Sequence, residues 1–346
     1  MVRSKMATLV QVALQIFDSE VVMKSIKRLV DNVFDQLMSE HAGGVIDRNS
    51  IKSAIKCFKM HKLLNARIVK NEKGELIWEG QETKDASTSD FDRVYIIKYT
   101  DYFAGESRKW IVHMSSPEYA KKALEVLKRE DDNARQLLAK DSCQELSNKL
   151  IEIIVNQNAS ALISKEHTGV KELIAQKRIE ELNYLTKLIM KTENNIPLMT
   201  ACLAEYVTTK GRGLEQDKKI VEDPLAYIKG ILELKREVNY MISDAFESIK
   251  LFLWDSDKAF KNLLVEFELA PKFLAIYIDN MMRNDLRGKE SQMESLISEV
   301  FVIFKLVNSK DVFCQQHQVN LNSKLRFFME VAFFRTALSL MMLRSL

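Results

Sequence analysis

The residues of this 346-residue chain best suited to catalysis or metal binding are five histidines, His41, His61, His113, His167 and His317, and four cysteines, Cys57, Cys143, Cys202 and Cys314. No histidine has a second histidine or a carboxylate at the HExxH or i, i+4 spacing that would set two ligands on one helix face. His317 lies three residues past Cys314, and a Cys-x-x-His pair without a second half-site reads as a surface pair. The cysteines show no CxxC spacing, and no two fall within about fifty residues of each other, which argues against a zinc ribbon or a disulfide framework and suits a reducing compartment. Phosphate chemistry fares no better, because neither GxGxxG nor GxxxxGK[ST] occurs, and GRG at 211–213 is too short for a phosphate cradle and reads as a bend after a helix. No GxSxG elbow marks a nucleophile. The expected sets of catalytic, cofactor-binding and metal-binding residues are therefore each empty, no cofactor is expected, and the chain reads as a non-enzyme.

The elements that would position such residues are helices. Only 10 Gly and 4 Pro occur, against the roughly 12% that average usage gives the pair, so a fold needing frequent sharp turns is excluded. Apolar residues at 47% and charged residues at 29% are ordinary globular values, which exclude general disorder. The length fits about two or three domains, or one repeat structure whose neighbouring units share a core. Lys and Arg number 51 against 48 Asp and Glu, a net charge of +3. That is too small and too evenly spread for a nucleic-acid partner, and mixed runs such as KRED at 128–131 read as solvated helix faces. No membrane partner is expected either. The start, MVRSKMATLVQVALQIF, is interrupted by Gln11 and Gln15 and lacks a cleavage site. The apolar end at 327–343 holds Glu330 and Arg335 within a stretch too short to span a bilayer.

Helical periodicity runs through most of the chain. Ile26, Leu29, Val30, Val33 and Leu37 share one face of a helix over about 10–40, closed by Gly43 and Gly44. A second helix runs from Asp47 to Leu64, capped by Asp47 or Asn49. The pattern breaks in an insertion at 65–90, where ARIVKNEKGELIW at 66–78 predicts a small β-hairpin turning at Asn71–Gly74. Helices then resume at Phe91–His113, from Pro117 to about Lys140, and on to Ser164. Further helices are expected within Thr168–Met190, over Ile196–Thr209 up to the GRG bend, after Pro224 and after Pro271, and along the stripe Met293–Val307. Trp254, Phe260, Phe267 and Phe273 read as core residues.

Several segments, in order, resemble the cullins, the scaffolds of multisubunit ubiquitin ligases. VNSKDVF at 307–313 follows LISEVFVIFKLV and PKFLAIYIDNMMRNDLRGKE (271–290) in the order found at the end of a cullin's third helical repeat. DPLAYIKGILELKREVNYMISDAF (223–246) and GGVIDRNSIKSAI (43–55) are similar to other helices of the family. SRKWIVHMSSPEYAKKALEVLKRE (107–130) and SKEHTGVKELI (164–174) look closest to the class that works with F-box proteins, particularly the plant form. The resemblance covers about Ala13 to Leu325.

The resemblance implies an all-α, elongated helical-repeat stalk with 1–15 as a start from which the first repeat is missing. Residues 16–195 would form the second repeat, with the insertion at 65–90, and residues 196–325 the third. The tail at 326–346 has no family counterpart, and it reads either as a cap on the last helix pair or as the product of a shifted reading frame. The downstream motif also weakens, with His317 where the family has an aromatic and LNSKL at 321–325 in place of its Leu-Ala-x-Arg-Leu ending. The family implies a Skp1-like/F-box or BTB adaptor, a RING protein and NEDD8 as partners. The regions that bind them, including that of the neddylation lysine, have no match here. A cytoplasmic or nuclear, non-catalytic and incomplete scaffold of a cullin-RING ubiquitin ligase is therefore expected. A regulatory or decoy fragment, or a helical-repeat interaction protein outside the ubiquitin pathway, are the alternatives.

Overall fold

The computed structural model describes residues 16, 20, 23–41, 44–60, 64–70, 76–81, 90–281 and 290–322. In chain order these form α1 (Met23–His41), α2 (Arg48–Met60), β1 (Leu64–Lys70), β2 (Leu76–Gln81), α3 (Asp90–His113), α4 (Ser116–Leu137) and α5 (Lys140–Ile151). A π-helical turn at Glu152–Asn156 leads into α6 (Gln157–Ser164), followed by α7 (Val170–Ala175) and α8 (Ile179–Ile189). A 3-10 turn at Glu193–Asn195 then precedes α9 (Ile196–Gln216), α10 (Lys218–Glu222), α11 (Pro224–Asp244), α12 (Lys250–Glu266), α13 (Ala270–Asn280), α14 (Glu290–Leu306) and α15 (Lys310–Asn322). The architecture is all-α, with β1 and β2 paired antiparallel in a register that sets Ile68 opposite Trp78. The connecting residues 71–75, the start at 1–15 and the tail at 326–346 lie outside the described residues.

Helix starts follow local chemistry. Each of the four prolines, Pro117, Pro197, Pro224 and Pro271, sits in the first turn of its helix, where a missing N–H removes no ladder bond. Asp47 is the cap of α2, accepting from the backbone N–H groups of Asn49 and Ser50 at 3.0 and 3.2 Å. Ser115 and Glu118 close a reciprocal capping box at the start of α4, a device worth about 1 kcal/mol. Behind α1, the N–H of Gly44 donates to the carbonyl of Ser39 at 2.9 Å, and a Cβ on Gly44 would meet that same oxygen at 2.9 Å, so only glycine fits the turn.

Three element boundaries differ from the sequence reading. The second helix stops at Met60, and Leu64 already belongs to β1. The helix after Pro117 ends at Leu137, because Leu138 is extended and the N–H of Ala139 donates to the Asp92 carboxylate of α3 at 3.1 Å. The bend at GRG is absent, since α9 continues through residues 211–213 to Gln216. Glycine there serves a close approach: a Cβ on Gly211 would lie 2.1 Å from Cδ2 of Leu263 on α12.

The chain divides into two compact units, Met1–Ala159 and Ser160–Leu346. In the first, α1 buries Ile26, Val30, Val33 and Leu37, and α3 buries Phe91, Tyr95, Tyr99, Phe103 and Trp110 at mostly four-residue spacing. Their rings form a continuous series: Tyr95 stacks on Tyr99 at 4.1 Å, Phe34 of α1 meets Tyr99 edge-on at 5.0 Å, and Trp110 meets Tyr119 of α4 at 6.0 Å. In the second unit one cluster joins α11 (Tyr227, Ile228, Ile231), α12 (Leu263, Leu264), α13 (Leu274, Ile278), α14 (Ile303, Phe304) and Phe313 of α15. Fully burying such a side chain contributes about 1.5–3 kcal/mol, so these seams supply most of what holds neighbouring helices together.

Candidate interaction site

The sequence singled out no catalytic set, and the structure shows where the candidate side chains lie. His113 ends α3, His167 occupies the loop before α7 with a φ of 63°, and the His317 ring lies parallel to Phe313 one turn away at 5.7 Å. His61, and the side chains of His41 and Cys57, lie outside the described residues. Cys143 and Cys202 point their thiols at carbonyls of the preceding turn, those of Leu138 and Leu198. Burial also pushes the Cys202 thiol up, which lowers its reactivity. Among the described residues no three of His, Cys, Asp or Glu come close enough to hold a metal ion, and none of the helices is long and apolar enough to cross a membrane.

The polar chemistry of the first unit collects around α4. Arg48, at the start of α2, donates to both oxygens of Glu40 at 3.0 and 2.5 Å, to Asn133 at 3.2 Å and to Gln136 at 3.2 Å. One guanidinium thereby ties the end of α1 and the start of α2 to the C-terminal end of α4, using the planar fork that lysine lacks. Above it lies a recess of about 470 Å³ whose walls include Lys128, Arg129, Glu125 and Asp132. Its charges are of both signs, so it presents no field for a single-sign ligand.

Beneath this surface the KRED run departs from the solvated face expected of it. Glu130 is 1% exposed, because it falls on the α4 stripe with Val126, Asn133, Ala134 and Leu137. Burial raises its carboxyl above the ordinary range, opposed by hydrogen bonds from Asn133 and Arg129, both at 3.4 Å. The rings of Tyr95 and Tyr99 stack at 4.1 Å, and burial pushes both hydroxyls far up. A buried polar nest of this kind fixes the register of the helices that meet there. The π turn is likewise satisfied from the side: the Tyr119 hydroxyl donates to the Ile154 carbonyl at 2.6 Å, and Asn158 donates to the Ile153 carbonyl at 3.0 Å.

In the second unit the residues that face solvent matter more. Phe260 and Phe273 are buried and Phe267 packs against the same core, but Trp254 is 78% exposed and is not a core residue. Its position on α12 is the cause, because it lies two residues from Phe252 and so on the opposite side of the helix from Phe252, Ala259 and Leu263. Phase alone could have revealed this, since Trp254 shares the exposed stripe with Lys250, Lys258 and Lys261.

These helices also match known proteins. A family model described as the cullin alpha solenoid domain matches residues 1–325. Cullin-3 of Dictyostelium discoideum is 23% identical over 299 residues, covering 86% of this chain and 36% of the relative. Cullin-3A of Arabidopsis thaliana is 20% identical over 299 residues, covering 86% and 38% respectively. Cullin-1 of Dictyostelium discoideum is 23% identical over 301 residues, covering 83% and 37%. The chain therefore spans little more than a third of the length of these relatives, and both cullin-3 and cullin-1 types are among them. With an all-α succession of packed helices and a family match running from residue 1 to residue 325, the chain belongs to the cullin family.

Proposed function

We propose that this chain acts as a non-catalytic scaffold segment of a cullin-RING type ubiquitin ligase, in ubiquitin-dependent protein catabolism. The observation that carries this reading is the family match over residues 1–325, laid on helices whose apolar faces are buried against their neighbours. Such a segment works by geometry: packed helices hold attached subunits at a set separation and raise the effective concentration of one near the other. The partners that go with this reading are a Skp1-like/F-box or BTB adaptor, a RING protein and a NEDD8-modified assembly, and the site of action is the cytoplasm or nucleus. The division into a second repeat at 16–195 and a third at 196–325 belongs to the same proposal.

Quantitative affinity purification of the tagged chain from its own cells tests it. Recovery of an adaptor, a RING protein or another ligase subunit in near-stoichiometric amount is expected. A reproducible partner set free of ligase subunits would sink the reading, as would a ubiquitin thioester formed on the purified chain itself.

A further inference from the structure

Helix α12 presents a face that no described residue of the second unit covers. Lys250, Trp254, Lys258, Lys261 and Val265 follow one another at spacings of four, four, three and four, which places all five within a single narrow stripe along the helix. All five are exposed, Trp254 at 78% and Val265 at 46%. The three lysines have no acidic partner among the described residues. Of the acids on α12 among the described residues, Asp257 pairs with Lys235 and Glu266 with Arg212, and Asp255, beside Trp254, forms no ion pair with the three lysines. A tryptophan left this far in water forgoes the burial that a ring of its size ordinarily gains, and tryptophan anchors are enriched where partners dock.

We infer that this α12 face is a docking site for an acidic protein segment carrying an apolar or aromatic anchor. The anchor would cover the indole of Trp254, and carboxylates on either side would face Lys250 on one flank and Lys258 and Lys261 on the other. Charge complementarity selects this occupant, since three free cations along about three turns of helix favour an anionic partner and speed its encounter. The opposite side of α12 is committed to the core through Phe252, Phe260 and Leu263, so the stripe is held rigid and preorganised. This inference is independent of the ligase reading, because it rests on one helix face and on no subunit of a ligase.

Display selection of random peptides of about 12 residues against the full chain tests it, followed by affinity measurement of the selected sequences. Peptides rich in Asp and Glu with an aromatic or branched apolar residue are expected. Their affinity should fall about tenfold or more with Trp254→Ala, with Lys258→Glu/Lys261→Glu, and on raising salt from about 50 to 300 mM. Lys258→Gln/Lys261→Gln provides a milder variant that keeps helix propensity, and circular dichroism checks that each variant remains folded. Selected peptides without net negative charge, or binding unaffected by all three variants, would overturn the inference. So would a failure to select any peptide, or binding of phosphatidylserine vesicles through the same stripe in place of peptide.

Discussion

Gly211→Ala offers the sharpest test of how the second unit is packed. The Cβ added at 211 would stand 2.1 Å from Cδ2 of Leu263, 2.8 Å from Cδ1 and 3.0 Å from Cγ. Carbon atoms in contact prefer about 3.5–4.0 Å, so the nearest pair overlaps by about 1.5 Å. Leu263 is 1% exposed and cannot swing into solvent, so either its rotamer or the separation of α9 and α12 must change. Overpacking of this kind costs about 1–3 kcal/mol, while replacing glycine with alanine inside a helix returns about 1 kcal/mol. The net expectation is a loss of about 0–2 kcal/mol. Gly213 lies two residues further along the same helix with nothing within 4 Å of its Cβ position. Gly213→Ala therefore keeps the propensity gain alone, and subtracting one variant from the other isolates the packing cost at about 1–3 kcal/mol. Native-state hydrogen exchange at α9 and α12 amides is the suitable assay, because a chain of two units need not unfold in one step. Adding Leu263→Ala to Gly211→Ala should relieve the overlap and give a non-additive result. Equal stabilisation by the two single alanine variants would refute the close approach of α9 and α12.

Two further substitutions examine the first unit. Glu130→Gln keeps the side chain's shape and an acceptor for Asn133 while removing the ionisation that burial opposes. Because the folded state holds the Glu130 proton more tightly than the unfolded chain, its stabilising contribution is present below the ordinary value of 4.5 and is lost as pH rises through the raised folded value. Thermal melts should therefore place the variant above the parent at neutral pH and bring the two together in acid, and a deficit constant with pH would show that the Arg129 pair dominates instead. Tyr119→Phe removes the hydroxyl that donates to the Ile154 carbonyl and accepts from Asn158 at 3.1 Å. A loss of about 1–3 kcal/mol is expected, read as faster amide exchange across the π turn at 152–156, and unchanged exchange there would show that Asn158 alone suffices.

Much of the architecture is legible in local pattern. The stripe Ile26, Val30, Val33, Leu37 is buried as its spacing requires, and the prolines and Asp47 stand where helices begin. Glu130 and Trp254 depart from what their residue types suggest: the charged KRED run reads as a solvated face and Trp254 as a core residue, yet the first is buried and the second is left in water. In both cases position outweighs residue type, because the 3.6-residue period assigns each to its face. The role of Arg48 is not legible in GGVIDRNSIKSAI, because its partners Asn133 and Gln136 lie some eighty residues away.

Scarcity of glycine and proline, the apolar stripes and the ordered cullin-like segments were enough to determine an all-α member of a scaffold family, because helix formation and face amphipathicity are local properties of the chain. Tertiary structure decided the rest: that GRG at 211–213 continues a helix and admits Leu263, that Glu130 sits inside, and that the Lys250–Val265 stripe of α12 remains open among the described residues. Those outcomes depend on which helix comes to lie against which, and a close approach or an uncovered face arises from contacts between residues far apart in sequence.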